Sequence, residues 1–157
     1  MTVGQRQKRN CIKDLMMRRV ENKVLDIVEK ERSIKKIDSL VDPIIRKYFR
    51  EYDILNEYYG GKSGKPINED QIKRSKCYLI EDMMKKSFEN ATKKMLDECE
   101  DIQDVDENLT KGMEKLFFNI NKLYDFYGFD FELSDLDEED DDDAQDNQQG
   151  SKEEDLS

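Results

Sequence analysis

The 157-residue chain contains no histidine and no tryptophan, only two prolines, and seven glycines in no repeating pattern. Without histidine the commonest general base is missing, and with it every Ser/His or Cys/His nucleophile pair. The three cysteines, Cys11, Cys77 and Cys99, are odd in number and widely spaced. They read as free thiols of a reducing compartment, not as a disulfide framework or a metal site. The segment "GGKSGKP" lacks the spacing of a phosphate-binding loop and reads as an exposed connection. No apolar run approaches the length of a membrane span, and the polar, basic opening "MTVGQRQKRN" predicts no signal peptide. Together these absences predict a non-catalytic protein with no cofactor, no metal site and no membrane segment.

What the chain does have is charge, unevenly placed. Residues 132–157 carry thirteen Asp/Glu and one Lys, net −12, which leaves residues 1–131 at net +1. Within that body, residues 1–23 hold seven Lys/Arg against Asp14 and Glu21. The C-terminal run is too acidic and too poor in apolar residues to offset the entropy of ordering. It predicts a disordered acidic tail over 132–157, attached to a helical domain over 1–131. The run "DLDEEDDDD" lacks the ligand spacing and turn glycine of a calcium loop, so only diffuse counterion binding is expected of it.

The body reads as helices throughout. From about Asn10 to Ser33 the positions Ile12, Leu15, Met16, Val20, Val24, Ile27 and Val28 recur at three and four residues, the period of one helical face. "VDP" at 41–43 predicts an interruption, with Asp42 as a cap and Pro43 in the first turn of a second helix. That helix presents Ile44, Ile45, Tyr48, Phe49, Tyr52, Leu55 and Tyr59 and ends in a flexible loop at 60–66. Asn68, with Gln71 three residues on and Ile67 before it, predicts the start of a third helix of about thirty residues. An acidic joint, "EDIQDVDE", precedes a fourth helix that Gly128 should terminate. The expected fold class is therefore all-α: an irregular or elongated bundle of about four amphipathic helices, with the tail outside it.

Four features are candidates for function. The apolar stripes, above all Met16, Val20, Val24, Ile37, Val41, Pro43, Ile45 and Phe49, serve either as a private core or as seams for helical protein partners, and the many methionines suit both uses. The basic first helix can neutralise phosphates in a weak, salt-sensitive contact with nucleic acid, or can face water or the chain's own tail. Tyr127, Phe129 and Phe131 stand directly ahead of the acidic run as candidate tail anchors. Rings beside a polyanion suit docking on basic proteins such as histones, whereas a solubilising tail would look the same. Ser134, with Asp137 three residues on, matches an acidophilic kinase site.

Two stretches resemble a known family. "KIDSLVDPIIRKYFR" (Lys36 to Arg50) is similar, through Ile37, Val41, Asp42, Pro43, Ile45, Phe49 and Arg50, to the V-D-P segment of the chromosome-biorientation proteins and of the Shg-type subunit of the COMPASS histone methyltransferase complex. "MMRRVENKV" (Met16 to Val24) is similar to the same family's earlier stretch through Met16, Arg19, Val20, Glu21 and Val24. The resemblance implies a non-catalytic nuclear subunit that docks through helices onto a chromatin-modifying or kinetochore assembly. The residue-level alternatives are a histone-chaperone-like protein acting through its tail and a cytoplasmic coiled-coil adaptor.

Overall fold

Thr2 opens the first helix by a reciprocal cap: its hydroxyl accepts from the Gln5 amide while the Gln5 side chain accepts from the Thr2 amide. The computed structural model describes residues 1–61, 66–99 and 101–130, and these form four helices with no strand among the described residues. Helix α1 spans Val3–Lys30, α2 Ile34–Tyr58, α3 Glu69–Glu98 and α4 Ile102–Tyr127. The expected tail over 132–157, with Phe131 and Ser134, lies outside the described residues.

Several expected boundaries hold. Asn68 caps α3, its side-chain oxygen accepting from the amides of Asp70 and Gln71. The third helix has the expected thirty-residue length. Gly128 closes α4 in the left-handed conformation with φ 76°, which a Cβ would oppose. Gly60 likewise takes positive φ after α2.

Three boundaries differ, each for a local reason. Helix α1 begins at Val3 and not near Asn10, because the Thr2–Gln5 cap supplies a start ahead of the apolar stripe. The acidic joint shrinks toward Asp101, whose side chain accepts from the Gln103 amide, so that "IQDVDE" is already helical. The largest departure is at "VDP". The chain breaks at 31–33, with Ser33 capping α2, and Pro43 sits exposed inside that helix. Proline in a helix interior costs about 3 kcal/mol. Val41 and Ile45 on either side of it are both buried, and burial of each such side chain contributes about 1.5–3 kcal/mol, so the core outweighs that cost. Asp42 caps nothing; it accepts from Arg46 Nε and from Lys76 Nζ, each at 2.8 Å.

Helices α1 and α2 form an antiparallel hairpin, and α3 and α4 form another. The first register is fixed by Arg9 donating to Asn56, by Lys13 over the Tyr52 ring at 5.3 Å, and by the Arg19–Glu51 ion pair. α3 runs through the middle and packs against all three other helices. Its Cys77 and Ile80 are wholly buried, beside Val24 of α1, Val41 of α2 and Ile120 and Leu123 of α4 in one cluster. Ser87 Oγ donates to Glu29 at 3.4 Å, close to where α1 stops. The last turns of α3 and the first turns of α4 therefore continue past the α1–α2 turn as a two-helix arm.

Candidate docking surfaces

The stripe residues expected to meet a partner are mostly spoken for within the chain. Val20, Val24, Ile37, Val41 and Ile45 are all at most 3% exposed, so none of them can anchor a second protein without opening the bundle. Met16 and Phe49 are half-buried against the same core. Of the expected set only Pro43 faces solvent. The physical reason is the α1–α2 hairpin: its two stripes cover one another, and α3 covers what they leave.

The root of the tail is similarly engaged. Tyr127 is 4% exposed and its hydroxyl donates to Asp38 Oδ1 at 2.6 Å. Phe129 stacks on Tyr127, with Lys73 Nζ and Arg74 Cζ 5.1 and 5.2 Å from its ring. Both rings thus pack on the body, Tyr127 buried and Phe129 half-buried, while Phe131, the third expected anchor, lies outside the described residues.

Around Tyr127 the polar groups form one network across three helices. Lys76 of α3, its side chain only 12% exposed, pairs with Asp38 at 3.0 Å and Asp42 at 2.8 Å on α2. Arg46 joins Asp42 to Glu69 at the start of α3. Burial raises the Asp42 carboxyl, but the hydrogen bonds from Arg46 and Lys76 outweigh it and hold the group below the ordinary carboxylate range. Burial also acts on Lys76, against its charge, yet its two carboxylate partners keep it above the ordinary lysine range. One turn earlier on α4, Tyr124 donates to the buried Glu81 at 2.6 Å. Burial and that bond push the Tyr124 hydroxyl well up. Cys77, buried beneath, is pushed up to about 12, first by burial and then by the Glu81 charge, and so stays a neutral thiol.

The apolar groups that remain uncovered lie elsewhere. Ile12 and Leu15 are 39% and 56% exposed, on the outer side of α1. Lys8, Ile12, Leu15, Arg19 and Lys23 fall on one helical face by their spacing, with Arg18 beside them. Arg19 pairs with Glu51, while Lys8, Arg18 and Lys23 form no ion pair among the described residues. The hairpin register sets Ile12 level with Ile54 of α2, and Ile54 and Tyr58 are 68% and 80% exposed. The exposed apolar residues of the outer α1–α2 hairpin are thus flanked by cations on α1 and by Glu51, Asp53 and Glu57 on α2.

The sequence held a signal for part of this. Ile54 and Tyr58 fall outside the α2 stripe that reads as inner, and apolar residues out of phase with a helix's buried face are candidates for a second surface. Ile12 and Leu15 carried no such mark, because their spacing counts them with the α1 stripe; in the helix they fall to one side of the face that Val20 and Val24 bury. In comparisons with known proteins, no family model, no curated protein and no solved structure matches the chain. No helix is long and apolar enough to cross a membrane, among the described residues.

Proposed function

We propose that the chain is a non-catalytic helical adaptor subunit of a chromatin-associated complex, of the histone-modifying or kinetochore kind. It docks on a protein partner through the outer α1–α2 hairpin and brings its acidic C-terminal segment to basic proteins such as histones. The observation that carries the docking is the exposed Ile12–Leu15 pair, set among the cations of α1, with Ile12 level with the exposed Ile54 of α2. Such a strip meets the needs of a specific interface, which buries about 800 Å² per partner around an apolar centre with a polar rim. The nuclear setting rests on the likeness of 16–24 and 36–50 to the chromosome-biorientation and Shg-type proteins, and on thirteen acidic residues beyond 131, a polyanion suited to histone surfaces.

The test is affinity purification of the tagged full chain from its native source, with mass spectrometry, beside the variant Ile12→Glu/Leu15→Glu. Chromatin subunits recovered with the wild type and lost from the variant, at unchanged helicity, support the adaptor. Recovery of membrane or cytoskeletal proteins alone, or identical recovery by the variant, refutes it. The chaperone reading makes the acidic segment the whole active element. Removal of 131–157 separates the two: the adaptor keeps its assembly and loses only histones, whereas a chaperone loses its only function. With Tyr127 and Phe129 held by the body, that second reading has fewer aromatic anchors in the tail to draw on.

A further inference from the structure

Where the α3–α4 arm passes the α1–α2 turn, the two hairpins enclose a notch of about 750 Å³. Its floor is apolar, built from Val28, Ile34, Ile37, Met84, Phe88 and Leu116. Ala91 stands exposed at its mouth. The rim is cationic on two sides: Arg32 comes from the turn, and Lys115 and Lys122 come from α4. Against them stand Glu29 and Glu31, and Glu29 already accepts from Ser87. Just outside the notch, Lys35 and Lys36 occupy a first turn of α2 that has no acidic residue, and Lys111 precedes Lys115 by one turn of α4. Arg32 and Lys115 form no ion pair among the described residues, and Lys122 Nζ lies 4.9 Å from the Phe118 ring centre.

We propose that this notch receives an acidic amphipathic helix of a partner protein, its apolar side chains on the floor and its carboxylates against Arg32, Lys115 and Lys122. Lys115 and Lys122 are two turns apart on α4, about 10.5 Å along the axis, and a second helix presents carboxylates at that same interval. The cations repel a basic segment, and a nucleic acid would leave the apolar floor unused. This surface is distinct from the outer α1–α2 face and extends the adaptor reading by a second docking site, so each can fail without the other.

The experiment is a fluorescence anisotropy titration of the full chain. Its probe is a helical peptide of about 18 residues with leucines on one face and glutamates on both flanks, beside the same peptide with lysine at every glutamate. The acidic peptide alone binds, and Lys115→Glu/Lys122→Glu weakens it at least about tenfold with helicity and Tm unchanged. Ala91→Glu, at an exposed helical position that carries no fold, weakens it comparably. Equal binding of both peptides, no binding, or binding unmoved by either variant overturns the proposal. So does a result in which the charge reversal speeds proteolysis within 131–157, or dissolves a self-associated species on sedimentation: the occupant is then the chain's own tail or a second copy.

Discussion

Tyr127 Oη donates a 2.6 Å hydrogen bond to Asp38 Oδ1, and the same oxygen receives Lys76 Nζ at 3.0 Å, so α2, α3 and α4 meet at one carboxylate. Tyr127→Phe removes only the hydroxyl and should cost about 1 kcal/mol, the net worth of a typical hydrogen bond. Asp38→Ala strands both the Tyr127 hydroxyl and one contact of Lys76, and should cost about 2 kcal/mol. Urea denaturation of the two variants checks the order. Equal losses would mean that the junction is not organised around Asp38.

The same burial makes stability fall at alkaline pH. Burial, then the bond to Asp38, raises the Tyr127 hydroxyl in the folded chain; burial, then Glu81, does so for Tyr124, and Cys77 rises to about 12. In the unfolded chain a thiol ionises near about 8.5 and a tyrosine near about 10. The unfolded state thus binds fewer protons above those values, and the stabilisation is complete below about pH 8 and declines as pH rises through 9 to 11. Denaturation midpoints at pH 8 and pH 10.5 should differ, and Tyr124→Phe/Tyr127→Phe should flatten the slope. On the acid side the sign reverses. The lowered Asp42 contributes stability above the ordinary carboxylate range, lost as pH falls through it.

Gly112 sits within α4, where glycine costs roughly 0.5–1 kcal/mol relative to alanine. Yet a Cβ at this position would lie 2.8 Å from Phe88 Cε1, too close for the ring to stay where it is. Gly112→Ala should therefore destabilise by about 1 kcal/mol where the helical scale predicts a gain. A double-mutant cycle with Phe88→Ala isolates the clash: with the ring gone, the alanine should be neutral or stabilising.

Pro43 cannot donate to the Ser39 carbonyl, and it is exposed, so no packing depends on its ring. Replacement by alanine restores the backbone bond, and Pro43→Ala should gain about 1–3 kcal/mol. Thermal unfolding followed by circular dichroism provides the measurement. A fall in Tm would show that the proline shapes α2 in a way the core requires.

The helices themselves were legible because their signals are local. Asn68 followed by Gln71, and Gly128 after an apolar period, act through backbone geometry within a turn or two, so they announce the same ends in sequence and in structure. The break at "VDP" was misread because a local preference near 3 kcal/mol competes with burial of Val41 and Ile45, and burial depends on residues far away in the chain.

By itself the sequence determined that the chain is helical, where most helices begin and end, which residues need covering, and that its last segment is strongly acidic. Only the tertiary structure decided what covers them. It closed the stripe of Val20, Val24, Ile37, Val41 and Ile45 into a private core, drew Tyr127 and Phe129 into the body, and left Ile12, Leu15, Ile54 and the notch by Phe88 open. A hydrophobic period records that a face must leave water, since that free energy is roughly proportional to area and has no direction. Which surface receives the face depends on how far each helix extends past its neighbours, and that is settled only when all four are packed together.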